Sequence, residues 1–305
     1  MKCLYGSCLV IGQLFCQILC CQVYLSDGNK TEPELLWELG GAAGAMNCLT
    51  DIGGHAGAGK KFIKDINWNQ EQWCGSIFIS ATWHYLFALQ LEAGLGRLSG
   101  SDLVPGNNTG SARNRYLRNL KFNTTMAELA LLCEIYPLMI TDRDRDLSLL
   151  SPYLIAGVGF FKYTPRAWLN NVWVDLRSLH TEGEGFKEYP SSKPYGPVAW
   201  CVPVGAGIKY DAGGLINLRF EILYRFTGTD YLDDASSRYI DPVLFGRYLS
   251  PAQSLLASRL ADRSAEIVPG ATHAANDLRG NPANRDAYFT CTLKASIVLG
   301  RVQRK

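Results

Sequence analysis

The chain has 305 residues, a formal net charge of +2 and 19% charged residues. That length bounds it to one large domain or two ordinary ones, and the near-neutral balance offers neither a basic excess for nucleic acid nor an acidic tail. Glycine is abundant at 30 residues, beside 15 tyrosines and 7 tryptophans, and the mean hydropathy is −0.03; strands that alternate apolar and polar residues average near zero in the same way as a soluble surface.

Residues 1–22 stand apart. Lys2 precedes an uncharged run from Cys3 to Val23, and the next charge is Asp27. This reads as a secretory signal peptide, followed by an N-terminal lead over 23–34. A membrane helix is the alternative; Ser7, Gln13, Gln17 and Gln22 and the missing second positive flank speak against it. A lipid anchor at Cys20 or Cys21 would want a small residue before it, where Leu19 and Cys20 stand. Five of the ten cysteines leave with the signal; Cys48, Cys74, Cys133, Cys201 and Cys291 are scattered without C-x-x-C spacing. They form no disulfide framework and no zinc site, and read as isolated small hydrophobes.

Eight segments then alternate with period two, the signature of strands whose successive side chains leave opposite faces. Leu35–Ala45 sets Trp37, Leu39, Ala43 and Ala45 against Glu38. Gly75–His84 sets Ile77, Ile79, Ala81 and Trp83 against Ser76, Ser80 and Thr82. Leu86–Leu98 opposes Phe87, Leu89, Leu91 and Leu95 to Gln90, Glu92 and Gly94, and Leu120–Tyr136 opposes Ala127, Leu129, Leu131, Cys133 and Ile135 to Glu128 and Glu134. Ser151–Tyr163 is apolar on both faces, with Gly157 and Gly159 inside it. Ala199–Asp211 places Trp200, Val202, Val204, Ala206, Ile208 and Tyr210 opposite Gly205, Gly207 and Lys209. The clearest segment, Leu215–Thr227, puts Ile216, Leu218, Phe220, Ile222, Tyr224 and Phe226 on one face and Leu215, Asn217, Arg219, Glu221, Leu223, Arg225 and Thr227 on the other. Asp286–Leu299 completes the set, with Ala287, Phe289, Leu293, Ile297 and Leu299 opposite Thr290, Thr292, Lys294 and Ser296.

Globular strands run to roughly 5–6 residues, whereas a strand tilted across a bilayer needs about 9–11. The length, the uncharged face and the even number predict an all-β fold: an eight-stranded antiparallel up-and-down transmembrane β-barrel over 35–299. The connections 46–74, 99–119, 164–198 and 228–285 are long; Tyr85, Asp211–Gly214 and residues 137–150 make shorter ones, so long and short alternate as at the two rims of such a barrel. A helix is predicted in the last long loop, capped by Ser250 with Pro251 and Gln253 and striped by Leu255, Leu256 and Leu260. Residues 300–305 form a tail.

Eight strands enclose a space that side chains fill, so the inward charges must meet one another. Glu38, Glu92, Glu128, Glu134, Lys209, Arg219, Glu221, Arg225 and Lys294 are predicted to pair in a lumen network centred on Arg219, Glu221 and Arg225, because isolated buried charges are expensive. A proton or ion path is the functional reading of that network and structural packing the simpler one.

Gly54–Lys60 has phosphate-loop spacing, but Lys61 stands where Ser or Thr should hold magnesium, and no buried strand precedes it; it reads as a loop. His55, His84, His180 and His273 share no metal spacing, and the Ser178–His180 proximity is weak evidence for a nucleophile. Asp230, Asp233 and Asp234 lack the glycine and ligand spacing of a calcium loop; a capped turn, or a surface held by Arg238, is expected. Asn107-Asn108-Thr109 and Asn123-Thr124-Thr125 fit the glycosylation pattern, which would carry no meaning if the barrel sits in a bacterial outer membrane. No catalytic, cofactor or metal residue is singled out, and the chain is not read as an enzyme.

Several stretches together resemble one family: R-x-R-x-x-R-N-L-K-F (Arg113–Phe122) running into A-E-L-A, S-P-Y-L-I-A-G-V-G-F-F (Ser151–Phe161), L-H-T-E-G-E-G (Leu179–Gly185), K-P-Y (Lys193–Tyr195), V-P-V-G-A-G-I-K-Y (Val202–Tyr210), T-D-Y-L-D-D-A-S-S-R-Y-I-D (Thr229–Asp241) and R-G-N (Arg279–Asn281). In order and spacing, over roughly Leu35–Leu299, the chain resembles the PorG-like outer-membrane barrels of the type IX secretion and gliding machinery of Bacteroidota. Glu184 stands where that pattern has Gln, and the end Arg301–Lys305 lacks a terminal aromatic. The resemblance implies a non-enzymatic outer-membrane component with periplasmic termini, associated with the ring of a PorK-like lipoprotein and a PorN-like protein. It implies no cofactor, nucleic acid or small-molecule substrate. Thr229, Asp230, Tyr231, Asp233, Asp234 and Arg238 are the candidate partner surface. Two rivals remain: a small membrane-barrel enzyme acting on lipid, which needs a Ser–His pair at one rim, and a soluble exported lipocalin-like barrel, which would turn Phe220 inward and Arg219 outward.

Overall fold

The computed structural model describes residues 35–53, 70–84, 86–103, 110–138, 150–212 and 215–299. The signal peptide and lead (1–34), Gly54–Lys60, Tyr85, the Asn107 site, residues 139–149 of the middle connection, Gly213–Gly214 and the tail 300–305 lie outside them.

Among the described residues nine strands form: β1 (Leu35–Leu49), β2 (Gln72–Trp83), β3 (Phe87–Ser101), β4 (Lys121–Ile135), β5 (Leu150–Leu169), β6 (Val172–Asp175), β7 (Val198–Asp211), β8 (Ile216–Thr227) and β9 (Ala287–Leu299). Eight of them close into an antiparallel up-and-down barrel in chain order, with β4 pairing β5, β5 pairing β7 and β9 returning to β1. Closure leaves the eight barrel strands without a free edge, as a β-structure in hydrocarbon requires. The chain contains no helix, among the described residues, long and apolar enough to cross a membrane; the crossing elements are strands.

The alternation decides which way each face points. Along β8, Phe220, Ile222 and Phe226 are exposed while Arg219, Glu221 and Arg225 are buried. With Phe220 41% exposed and Arg219 2% exposed, apolar side chains face out and ionised ones face in. That is the arrangement of a membrane barrel and the reverse of a ligand-binding soluble barrel. Leu215, expected on the inward face, is exposed, because β8 begins one residue later.

Space inside is tight, and inward glycines make it. A methyl group on Gly40 would lie 2.5 Å from Phe78 Cζ, and one on Gly207 2.5 Å from Tyr153 Cζ. Phe78 and Tyr153 occupy that room and set their rings 5.4 and 5.9 Å from the Arg219 guanidinium. One apolar cluster, including Met46, Leu98, Phe122, Met126, Phe161 and Tyr288, fills the end of the lumen under the long loops. Another, with Ala88, Leu132, Tyr136, Tyr153 and Leu223, lies toward the short connections.

All four long connections leave from one rim, and their described residues fold into a cap richer than the expected single helix. The strand β5 runs on to Leu169 and pairs with β6, a hairpin that the reading of 164–198 as loop missed. Helix α1 (Gly110–Arg118) was also missed: it is short and polar, held at its end by Arg115 and Arg118 near the negative pole of the helix dipole and by Asn119 at φ 54°. Helix α2 (Phe245–Tyr248) packs against α3 (Pro251–Ala261), whose capping box forms as expected, Ser250 Oγ accepting from Gln253 N. The apolar stripe of α3 is displaced from the expected one. Leu256, Ala257, Leu260 and Ala261 face the cap core, while Leu255, one residue and about 100° away, is 65% exposed.

Candidate functional site

Two polar assemblies are built by this fold, one inside the barrel and one under the cap.

Inside the barrel, inward positions of adjacent strands bring five carboxylates and four cations together. Arg219 NH2 donates to Glu38 Oε2 and its NH1 to Glu134 Oε1, both at 2.7 Å. Lys209 donates to the other oxygen of Glu38, Ser296 adds a 2.7 Å bond, and Tyr136 OH donates to Glu134 at 2.6 Å. Lys294 bridges Glu92 at 2.7 Å and Glu221 at 2.6 Å, with Ser76 and Gln90 completing Glu92 and Tyr153 OH completing Glu221. Arg225 Nε meets Glu128 at 2.8 Å over the Tyr288 ring, and Tyr288 OH donates to the same carboxylate at 2.9 Å. The expected centre of Arg219, Glu221 and Arg225 is therefore divided: each residue belongs to a different pair. Inward neighbours on one strand lie about two rises apart along the barrel, so Arg219 and Arg225 reach different carboxylates on β4, while Glu221 takes Lys294 from the adjacent β9. Such pairing offsets the desolvation of charges held away from water.

Under the cap, residues from all four long loops converge. Asp102 takes Arg118 in a two-pronged pair, Nε at 2.7 Å and NH2 at 2.8 Å. Arg118 also reaches the carbonyls of Asp51 and Arg279. Arg279 pairs with Glu182 at 2.9 Å and donates to the carbonyls of Asp234 and Ala261. Glu182 in turn accepts from the backbone N–H groups of Ser236 and Ser237 and from the Ser237 hydroxyl. Asp51 receives Asn281 N at 2.5 Å. The blocks Arg113–Phe122, Leu179–Gly185, Thr229–Asp241 and Arg279–Asn281 are thus distant in sequence and joined in space.

This geometry removes two residues from the expected partner surface. Asp233 and Asp234 are fully buried. Asp233 accepts from Ile52 N and Ala235 N; Asp234 accepts from Thr181 Oγ1 at 2.6 Å and Tyr195 OH at 2.5 Å. Thr229 contacts Tyr163 OH at 3.0 Å, Tyr231 stacks on Tyr195 at 4.4 Å, and Asp230 accepts from Ser236 Oγ at 2.6 Å. Arg238 is exposed and bonds the Asn276 carbonyl; it does not hold the aspartates. Acidic residues one to four apart look like a surface in sequence, but here the chain turns at Asp234 (φ 66°) and Asp233 and Asp234 lie inside. Asp51, Asp102, Arg118, Glu182 and Arg279 went unremarked as a set; the motif blocks carry Arg118, Glu182 and Arg279 and were the available signal for those three, while Asp51 and Asp102 lie in no such block.

Carboxylates outnumber guanidinium groups in the hub, and burial holds several protonated further up the pH scale. Burial, with Asp234 and Glu182 beside it, pushes Glu184 up to about 8. Burial lifts Asp230 to about 7 and Asp234 to about 6, the latter against the pull of Arg279. Asp233 is raised by burial and by Asp51, and Asp286 by burial and by Asp233. No group of three or more His, Cys, Asp or Glu side chains among the described residues is arranged to hold a metal ion. His273 Nδ1 and Ser264 Oγ both bond Asp262, at 3.1 and 2.7 Å, so the carboxylate stands between serine and histidine and the two do not form the Ser–His pair that a hydrolase needs.

No protein-family model and no curated protein matches the chain. Among solved structures, the chain is similar to Ail, the attachment invasion locus protein of Yersinia pestis, crystallised with the heparin analogue sucrose octasulfate. The identity is 9%, the TM-score 0.35, and the match covers 87% of this chain and 97% of that one. Neither the activity nor the ligand of that protein transfers to this chain from a likeness of this degree.

Proposed function

We propose that the protein is a non-enzymatic outer-membrane component of the type IX secretion and gliding machinery, with periplasmic termini. It would associate through its short-connection rim with a periplasmic ring of PorK-like and PorN-like subunits. One observation carries this reading: four of the seven sequence blocks that resemble the PorG-like family, spread from Arg113 to Asn281, meet in one buried hub. A resemblance made of interlocking residues is harder to produce by chance than one made of separate strands. The hub's role in this reading is to hold the cap rigid over the barrel mouth, and the lumen network's role is to plug the barrel as packing. With Asp233 and Asp234 buried, they leave the contact surface, which favours the opposite rim for the ring.

In-cell crosslinking in a native host tests it. Single cysteines at His84 and Leu138 sample the short-connection rim, and cysteines at the exposed Val243 and Leu255 sample the cap. Ring subunits are expected from the first pair and not from the second. Recovery of no ring subunit from either rim removes the secretion assignment while leaving the barrel intact.

A further inference from the structure

The outer wall of the barrel is uncharged on five strands and cationic on three. On β1, β2, β7, β8 and β9 the outward residues carry no charge. Four charged side chains face outward on the rest: Arg97 on β3, Lys121 on β4, and Lys162 and Arg166 on β5. All four are positive, and all lie toward the long-loop rim. Cations placed merely to flank a membrane would be spread round the circumference; here they share three adjacent strands.

Register groups them further. Arg97 lies opposite Thr125 and Lys162 opposite Ala127, on either side of β4. Lys121 and Arg166 sit beyond them, opposite Ser101 and Asn123 respectively. Neighbouring strands are about 4.8 Å apart, so β3 and β5 are separated by about 10 Å, a gap that two long side chains can close on a phosphate. The first tier begins where the apolar belt ends, next to the exposed Leu95, Leu129 and Phe160. None of the four cations makes an ion pair among the described residues, including with Asp175, which lies opposite Arg166 on β6.

We propose that this β3–β5 face is a binding site for a membrane lipid carrying two phosphates, in the leaflet at the long-loop rim. Arg97 and Lys162 take the phosphate nearer the hydrocarbon, Lys121 and Arg166 take the outer one, and the acyl chains lie along Leu95, Leu129 and Phe160. A free phosphate or a soluble polyanion would leave that apolar strip uncovered; a lipid covers both parts at once. The site depends on the transmembrane barrel and not on the secretion assignment.

The test uses the full-length protein folded in detergent micelles and read by native mass spectrometry. The added probes are bisphosphorylated lipid A, its monophosphorylated form and phosphatidylcholine. Wild type is expected to hold bisphosphorylated lipid A at least tenfold more tightly than phosphatidylcholine, with the monophosphorylated form between them. The triple variant R97Q/K162Q/R166Q should lose most of that preference, and the charge-matched cap variant R247Q/R259Q/R285Q should keep it. Heat-modifiable gel mobility verifies that each variant is folded. If the triple variant does not fold, R97Q and K162Q singly should each weaken binding about threefold. Equal binding of all three lipids to wild type, or equal losses in the patch and cap variants, overturns the proposal.

Discussion

Arg219 is the residue on which the barrel interior turns. It is fully buried, its two terminal nitrogens serve Glu38 and Glu134, and two aromatic rings flank its guanidinium plane. Replacing it with Leu would leave the two carboxylates facing each other with Lys209 as the nearest remaining cation. Removing one partner of a buried pair costs about 3–5 kcal/mol, so Arg219→Leu should shift urea unfolding in vesicles, followed by tryptophan fluorescence, by that amount. Arg219→Lys keeps the charge but loses the fork that spans both acids, and should fall between Leu and wild type. If Arg219→Leu unfolds at the wild-type midpoint with the wild-type slope, the network contributes nothing to stability and its role as a packing plug is wrong.

At the scale of the element, β8 shows what a strand in hydrocarbon tolerates. Ile222 is half exposed on the outer wall, midway along the strand, and its neighbours across the ladders are Ala206 and Cys291. Ile222→Lys should cost about 2–4 kcal/mol at the bilayer midplane, measured by the same unfolding assay; a cost under about 0.5 kcal/mol would remove that residue from the lipid. The strands were legible because lipid on one side and a packed lumen on the other impose a two-residue period that nothing else imposes over a dozen positions. The elements of the cap were not legible for the opposite reason. Helix α1 and the β6 extension are short, and their stability comes from contacts with other loops, such as Arg118 with the carbonyls of Asp51 and Arg279 and Leu169 and Val174 in the cluster with Ile240 and Leu244, rather than from their own pattern. The inward charges could be listed from alternation alone, but their partners could not, since Lys294 on β9 finds Glu92 on β3 only once β9 returns to β1. The burial of Asp233 and Asp234 was equally hidden: their ligands, Ile52, Thr181 and Tyr195, lie 39 to 181 residues away.

As a whole, the molecule is a barrel whose charges are nearly balanced by ion pairs and a cap whose charges are not. The two halves should respond differently to pH. In the folded cap Glu184, Asp230 and Asp234 titrate at about 8, 7 and 6, against ordinary values of 4.5, 3.8 and 3.8. Between roughly pH 4 and 8 the closed cap therefore holds more protons than an opened one, and closed-state stability falls as pH rises through that window. Asp262 acts the other way, its carboxyl held below the usual range by hydrogen bonds from His273 and Ser264 that outweigh burial, but its contribution is lost only at pH below that window. The groups facing Glu184 are Asp234, Glu182 and Arg279, with Glu182 N donating to one oxygen. Glu184→Gln keeps the shape and removes the titration at about 8. Amide hydrogen exchange over residues 229–241, corrected for intrinsic rates, should show stronger protection at pH 5.5 than at pH 8, while β1 and β8 stay unchanged. Glu184→Gln should reduce the difference by raising protection at pH 8. Cap protection that rises with pH, or a change of equal size in the barrel strands, would mean that the excess carboxylates under the cap are not what governs its closure.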